Sequence, residues 1–200
     1  MDFLLTLAVV LAVLWMARAK LQQQRVALLA RFLSGLSIEK NIETLTEGYL
    51  RAAGEADPGR REQVWNLLRT TEQALCSQMR RLADDFAAAD PAATRVSRLP
   101  IWLPLPPSLA GSFDMREALR VHARGICRAI DDEAAGSAKD RAFAISAEML
   151  LMQHTCHWFC RSKSVASARM LARHRTSYEQ VVGAVLPQTR SDYLGLVSPA

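Results

Sequence analysis

Phe3-Leu-Leu-Thr-Leu-Ala-Val-Val-Leu-Ala-Val-Leu-Trp-Met-Ala17 carries no charge, no proline and no glycine, and its single hydroxyl is Thr6. Fifteen such residues fall short of the ~20 that cross a hydrocarbon core. The run is extended by Arg18 and Lys20, whose aliphatic stems can lie along lipid while their charges reach the headgroups. Trp15 sits where an interfacial aromatic belongs, and Leu21 follows. We read residues 1–20 as a membrane span. Two other readings compete: a buried first helix of a soluble bundle, and a cleaved secretory signal. A signal needs a positive leader and a small-residue cleavage site, and neither is present. Arg18, Lys20, Arg25 and Arg31 all follow the run, so the positive-inside rule predicts an outside N-terminus and a cytoplasmic domain.

The chain has 200 residues, 50% of them hydrophobic and 22% charged, which leaves one ordinary domain beyond the anchor and excludes a disordered tail. Its net charge of +5 suits a domain near anionic lipid and is too small to argue for nucleic acid. Four cysteines (Cys76, Cys127, Cys156 and Cys160) are expected as reduced thiols in a cytoplasmic setting.

Working outward, apolar spacing from Leu21 to Leu36 continues the first helix as one rod that Gly35 ends. The expected fold is all-α: a single transmembrane helix running into a bundle of about five helices over residues 21–186, with a C-terminal tail at 187–200. Ser37 is expected to cap the second helix, which carries the like-charge row Glu39, Glu43 and Glu47. That row reads as a solvated face or as a docking strip for a basic helix. Asp57 and Pro58 open a third helix whose seam is Trp65, Leu68, Glu72, Leu75, Met79, Leu82 and Phe86, paired within the bundle or across a dimer. Residues 91–113 form a proline-rich, apolar loop. Around Trp102, Pro104 and Pro106 it could pack as a lid, dip into the membrane interface, or present a polyproline-II surface to a partner. A fourth helix starts at Asp114-x-x-Glu117 and turns His122 inward, with Arg116, Arg120, Arg124 and Arg128 on its wet face.

The chemically suggestive stretch is Met149-Leu-Leu-Met-Gln-His-Thr-Cys-His-Trp-Phe-Cys160, on a fifth helix apolar nearly all round and hence central. Cys156 and Cys160 share a face, and His157 lies three before Cys160. With inward-facing His122, and Cys127 or Cys76 next in line, they could hold zinc, iron or haem. Against this, buried Cys commonly packs as a small hydrophobe, and the spacing is neither Cys-x-x-Cys nor Cys-x-x-Cys-His. A sixth helix over 165–185 puts Arg169 and Arg173 on a basic outer edge, suited to lipid headgroups, the Glu39-Glu43-Glu47 row or nucleic acid, in that order. Phosphate-loop, dinucleotide, nucleophile-elbow and His-Glu-x-x-His patterns are missing, which argues against an enzyme without excluding one. The expected function is a membrane-anchored interaction or assembly module whose partner is another protein or a second copy. A metal- or haem-binding, redox-sensing membrane protein is the alternative. Binding of anionic lipid or nucleic acid through the C-terminal basic helix is the weaker option.

Overall fold

A run without helix breakers from Asp2 onward gives the first element, α1 (Asp2–Leu33), about 48 Å long at 1.5 Å per residue. The computed structural model describes residues 2–102, 111–132 and 136–198. Gly35, at φ +84°, turns the chain where a side chain would be strained. The first half of α1 leaves the bundle altogether: Phe3 is 78% exposed, Leu4 71% and Trp15 69%. Such a helix is long and apolar enough to cross a membrane, and its exposure overturns the reading of a buried first helix. The second half of α1 packs on the bundle through Leu29, with Leu28, Phe32 and Leu33 beside it.

α2 (Ile38–Gly54) and α3 (Pro58–Phe86) form an antiparallel pair. Asp57 accepts from Arg60 N at 2.7 Å and Pro58 occupies the first turn, the expected start of α3. Ser37 stands at the N-cap of α2, but its hydroxyl makes no capping bond. Its backbone N–H donates instead to Gln78 Oε1 at 2.8 Å. The α3 seam from Leu68 to Phe86 is buried, including Glu72, which accepts from Tyr49 Oη at 2.8 Å. Packing against α2 and α4 (Met115–Asp131) uses up this seam inside the bundle.

Two short strands, β1 (Arg95–Ser97) and β2 (Ser112–Asp114), pair antiparallel with Val96 opposite Phe113, both buried. They correct the expectation that regular structure fails throughout 91–112: alternating burial and cross-strand pairing hold the two ends together. Trp158 Nε1 donates to Ser97 O at 3.0 Å, Ser164 N to Pro100 O at 2.9 Å, and Arg98 Nη2 to Leu196 O at 3.0 Å. The described arms of the segment therefore lie on the bundle, and Trp102 is half-buried. Pro104 and Pro106 lie outside the described residues.

α5 (Ala138–Cys160) is the central helix, as an all-round apolar sequence requires. The expected helix over 165–185 is instead two: α6 (Lys163–His174) and α7 (Tyr178–Ala184). Arg175 ends α6 in the left-handed region at φ 52°. Ser177 and Gln180 then cap α7 reciprocally, at 3.2 and 2.8 Å. The expected tail also changes character. Pro187 opens α8 (Pro187–Val197), whose Tyr193 is fully buried.

The expectation of four free thiols is corrected as well. Cys76 on α3 and Cys127 on α4 form a disulfide with Cα atoms 5.0 Å apart, because the two helices pack with those positions facing each other. Cys156 and Cys160 are free.

Candidate functional site

Ser162 breaks the chain between α5 and α6 by accepting from Val165 N, and folds α6 back along α5. An αα-hairpin brings together residues equidistant from its turn. His154, Gln153, His157 and Leu150 of α5 therefore meet Arg169, Arg173 and His174 of α6 around a small groove floored by Ala166 and Met170. The space amounts to about 40 Å³. At roughly 10–15 Å³ per water, that holds a few waters or one tetrahedral oxyanion.

His154 is 2% exposed. Its Nε2 bonds Ser167 Oγ at 3.0 Å, its ring lies 4.7 Å from that of Tyr178, and its Nδ1 has no partner among the described residues. Burial, then the nearby positive charge of Lys163, lowers its pKa to about 4. His157 is shifted down by burial and by Arg169 and Arg173, and His174 by burial and Arg173. At neutral pH the groove thus presents three neutral imidazoles beside two guanidiniums. Arg169 and Arg173 are exposed and form no ion pair or hydrogen bond among the described residues.

The sequence-based metal set does not converge. His122, fully buried on α4, bonds Thr155 Oγ1 at 2.9 Å through Nε2, and burial pushes its pKa down to about 3. Thr155 in turn contacts Leu151 O at 3.0 Å and Tyr193 Oη at 3.3 Å. Cys156 faces another way, with Sγ 3.7 Å from Met152 Sδ, and burial raises its thiol pKa to about 12. Burial also raises that of Cys160, against the pull of Arg25 and Arg161. The reserve candidates Cys76 and Cys127 are joined to each other. The geometry follows from the helical period: on α5, positions 156 and 160 share one face while 154 and 157 turn toward α6. Among the described residues, no group of three or more His, Cys, Asp or Glu is placed to hold a metal ion.

Glu39, Glu43 and Glu47 are exposed on α2 and form no ion pair among the described residues, so they do not dock the chain's own basic edge. A larger cleft of about 860 Å³ lies between α3 and α4, lined by Arg80, Arg120, Arg124 and Arg128. Asp84, Asp131 and Asp132 line the same walls, and Asp192 stands 3.9 Å from both Arg124 and Arg128. Its charges largely compensate one another, so the cleft favours no ligand of one sign. The α5–α6 groove was missed by sequence reading because 165–185 read as a separate sixth helix following the fifth almost without a break, with no sign that it folds back along it. Ser162 as an N-cap was the signal that could have revealed the hairpin. Compared with family models, curated proteins and solved structures, the chain matches none.

Proposed function

We propose that this chain is a membrane-anchored helical interaction module without catalytic activity, held to the bilayer by α1 and making contact through the Arg169–Arg173 edge. The observation that carries the reading is the exposed apolar half of α1, joined without a break to a bundle whose Arg169 and Arg173 have no partner among the described residues. Arg18, Lys20, Arg25 and Arg31 follow the apolar run, which supports a cytoplasmic bundle. A second reading, favoured by the Cys76–Cys127 disulfide, puts the bundle on the oxidising side, where such bonds form and persist.

One experiment tests the module and its orientation together. Full-length protein should stay in the membrane fraction after alkaline extraction. Protein beginning at Gln22 should be released. Chemical cross-linking in intact membranes should yield a discrete adduct that Arg169→Glu/Arg173→Glu abolishes. Recovery of the full-length protein in the soluble fraction defeats the anchor, and adducts indifferent to the charge reversal defeat the edge. Alkylation of Cys76 and Cys127 in unreduced cells supports the cytoplasmic orientation, and protection until reduction supports the opposite one.

A further inference from the structure

We propose that the groove between α5 and α6 binds a phosphate monoester oxyanion, seated between Arg169 and Arg173 and hydrogen-bonded by His154 and His157. The proposal names a ligand class for the contact edge and rests on the reading of that edge as a binding surface, but not on the anchor. Three independent features meet there. The groove is a small concavity of about 40 Å³, sized for one tetrahedral group and not for an extended chain. Two guanidiniums four residues apart on α6 stand at its wall with no carboxylate paired to them among the described residues. His154, 2% exposed, lines the same groove, and its buried Nδ1 has no partner among the described residues. A buried polar atom without a partner is costly, and a ligand atom that came to bond it would recover that cost.

Phosphate monoester fits the donor set better than carboxylate or sulfate. Guanidiniums supply charge-assisted donors in a planar fork matched to phosphate oxygens. A neutral imidazole carries one N–H donor and one bare acceptor nitrogen. Near neutral pH a phosphate monoester is chiefly the dianion, with two charges for the two guanidiniums and acceptor oxygens for an imidazole N–H, and its minor singly protonated form adds an O–H donor for a bare ring nitrogen. Carboxylate and sulfate at neutral pH offer acceptors only. Lys163 adds positive charge to the same end of the bundle, its Nζ 4.6 Å from the Tyr178 ring and 5.2 Å from that of Trp158.

The ligand could be free phosphate or a lipid headgroup, and the test separates them. Full-length protein in neutral detergent is titrated with inorganic phosphate while the imidazole nitrogens are followed by NMR. The same protein is then placed in nanodiscs of phosphatidylcholine with or without phosphatidic acid. Binding should move the His154 and His157 resonances, and Arg169→Gln/Arg173→Gln should weaken it by about tenfold or more, the effect of losing charge-assisted bonds. Arg60→Gln/Arg69→Gln, which removes the same charge from α3, should leave binding unchanged. Response to phosphate in detergent marks a soluble ligand, and response only to phosphatidic acid marks a headgroup. Silent histidines in both settings, or equal weakening by the two double variants, overturns the proposal. The anchor is read separately, by whether the protein requires detergent or lipid to stay dispersed, so failure of one reading is not mistaken for failure of the other.

Discussion

Glu148 shows how one buried side chain ties distant parts of this chain together. It lies fully buried on α5, and its Oε1 accepts from Leu186 N at 3.1 Å, holding the junction of α7 and α8. Gly125 on α4 makes room for it: a Cβ there would stand 2.5 Å from Glu148 Oε2 and 2.6 Å from Thr189 Oγ1. Burial, opposed by the nearby Thr189 hydroxyl and the Leu186 N–H, raises the Glu148 pKa to about 7. The folded state therefore holds this proton more tightly than the unfolded chain does. Its contribution to stability is full below pH 4.5 and is lost as pH rises through about 7. Buried His122 and His154 act in the opposite sense, since their lowered pKa values cost stability as pH falls below 6.5. Glu148→Gln keeps the acceptor for Leu186 but cannot titrate. Its melting temperature relative to the unaltered protein should rise between pH 4.5 and 7 and then level off. A difference independent of pH, measured by circular dichroism in detergent, would contradict this account.

Among the helices, α8 departs furthest from what its sequence suggests. Pro187 reads as a stop because proline ends a helix interior, yet it is equally at home in the first turn, where its missing N–H is not needed. The local period of residues 187–197 is weak, and its amphipathic face is one aromatic wide. Tyr193 carries it, buried beside Thr155, with its ring 5.5 Å from that of His122. Tyr193→Ala should cost about 3–5 kcal/mol, as for other large core truncations. Tyr193→Phe should cost about 1 kcal/mol, the usual worth of one hydrogen bond. Chemical denaturation of both variants checks the pair, and equal, negligible losses would make α8 an appendage.

The other elements were legible to differing degrees. Asp57-Pro58, the α3 seam and the inward turn of His122 could be read from capping chemistry and period, because each is a local preference that packing reinforces. The Ser177-x-x-Gln180 box was equally explicit, but the helical period running through 165–185 masked it. The β1–β2 pairing and the Cys76–Cys127 bond were not legible. Each joins residues far apart in the chain, and nothing local announces its partner. The imidazole–guanidinium groove was half-visible: both halves were noted, and only the hairpin at Ser162 brings them together.

At the scale of the whole molecule, the disulfide joins α3 to α4 across a sequence separation of 51. Loop-closure entropy sets its upper worth at about 4 kcal/mol, and such bonds typically contribute about 2–4 kcal/mol. Cys76→Ala/Cys127→Ala should lower the unfolding free energy by that measure and the melting temperature with it, and reductant should do so for the unaltered protein but not for the variant. An unaltered protein insensitive to reductant would show that the bond bears no stability. α1 matters differently, because it is fastened to the bundle almost as soon as the apolar run ends. Gln22 Oε1 accepts from Arg161 at 2.6 Å, and Arg25 reaches Phe159 O at 3.0 Å and Arg95 O at 2.6 Å. From Lys20 to Arg25 the rod climbs only about 7–8 Å. With α1 in a bilayer, as we propose, that leaves no slack between bilayer and bundle: the domain is a mast stepped into the deck, not a float on a line. So held, it would spin and drift in two dimensions without reaching outward, and whatever it meets would come to the lipid surface.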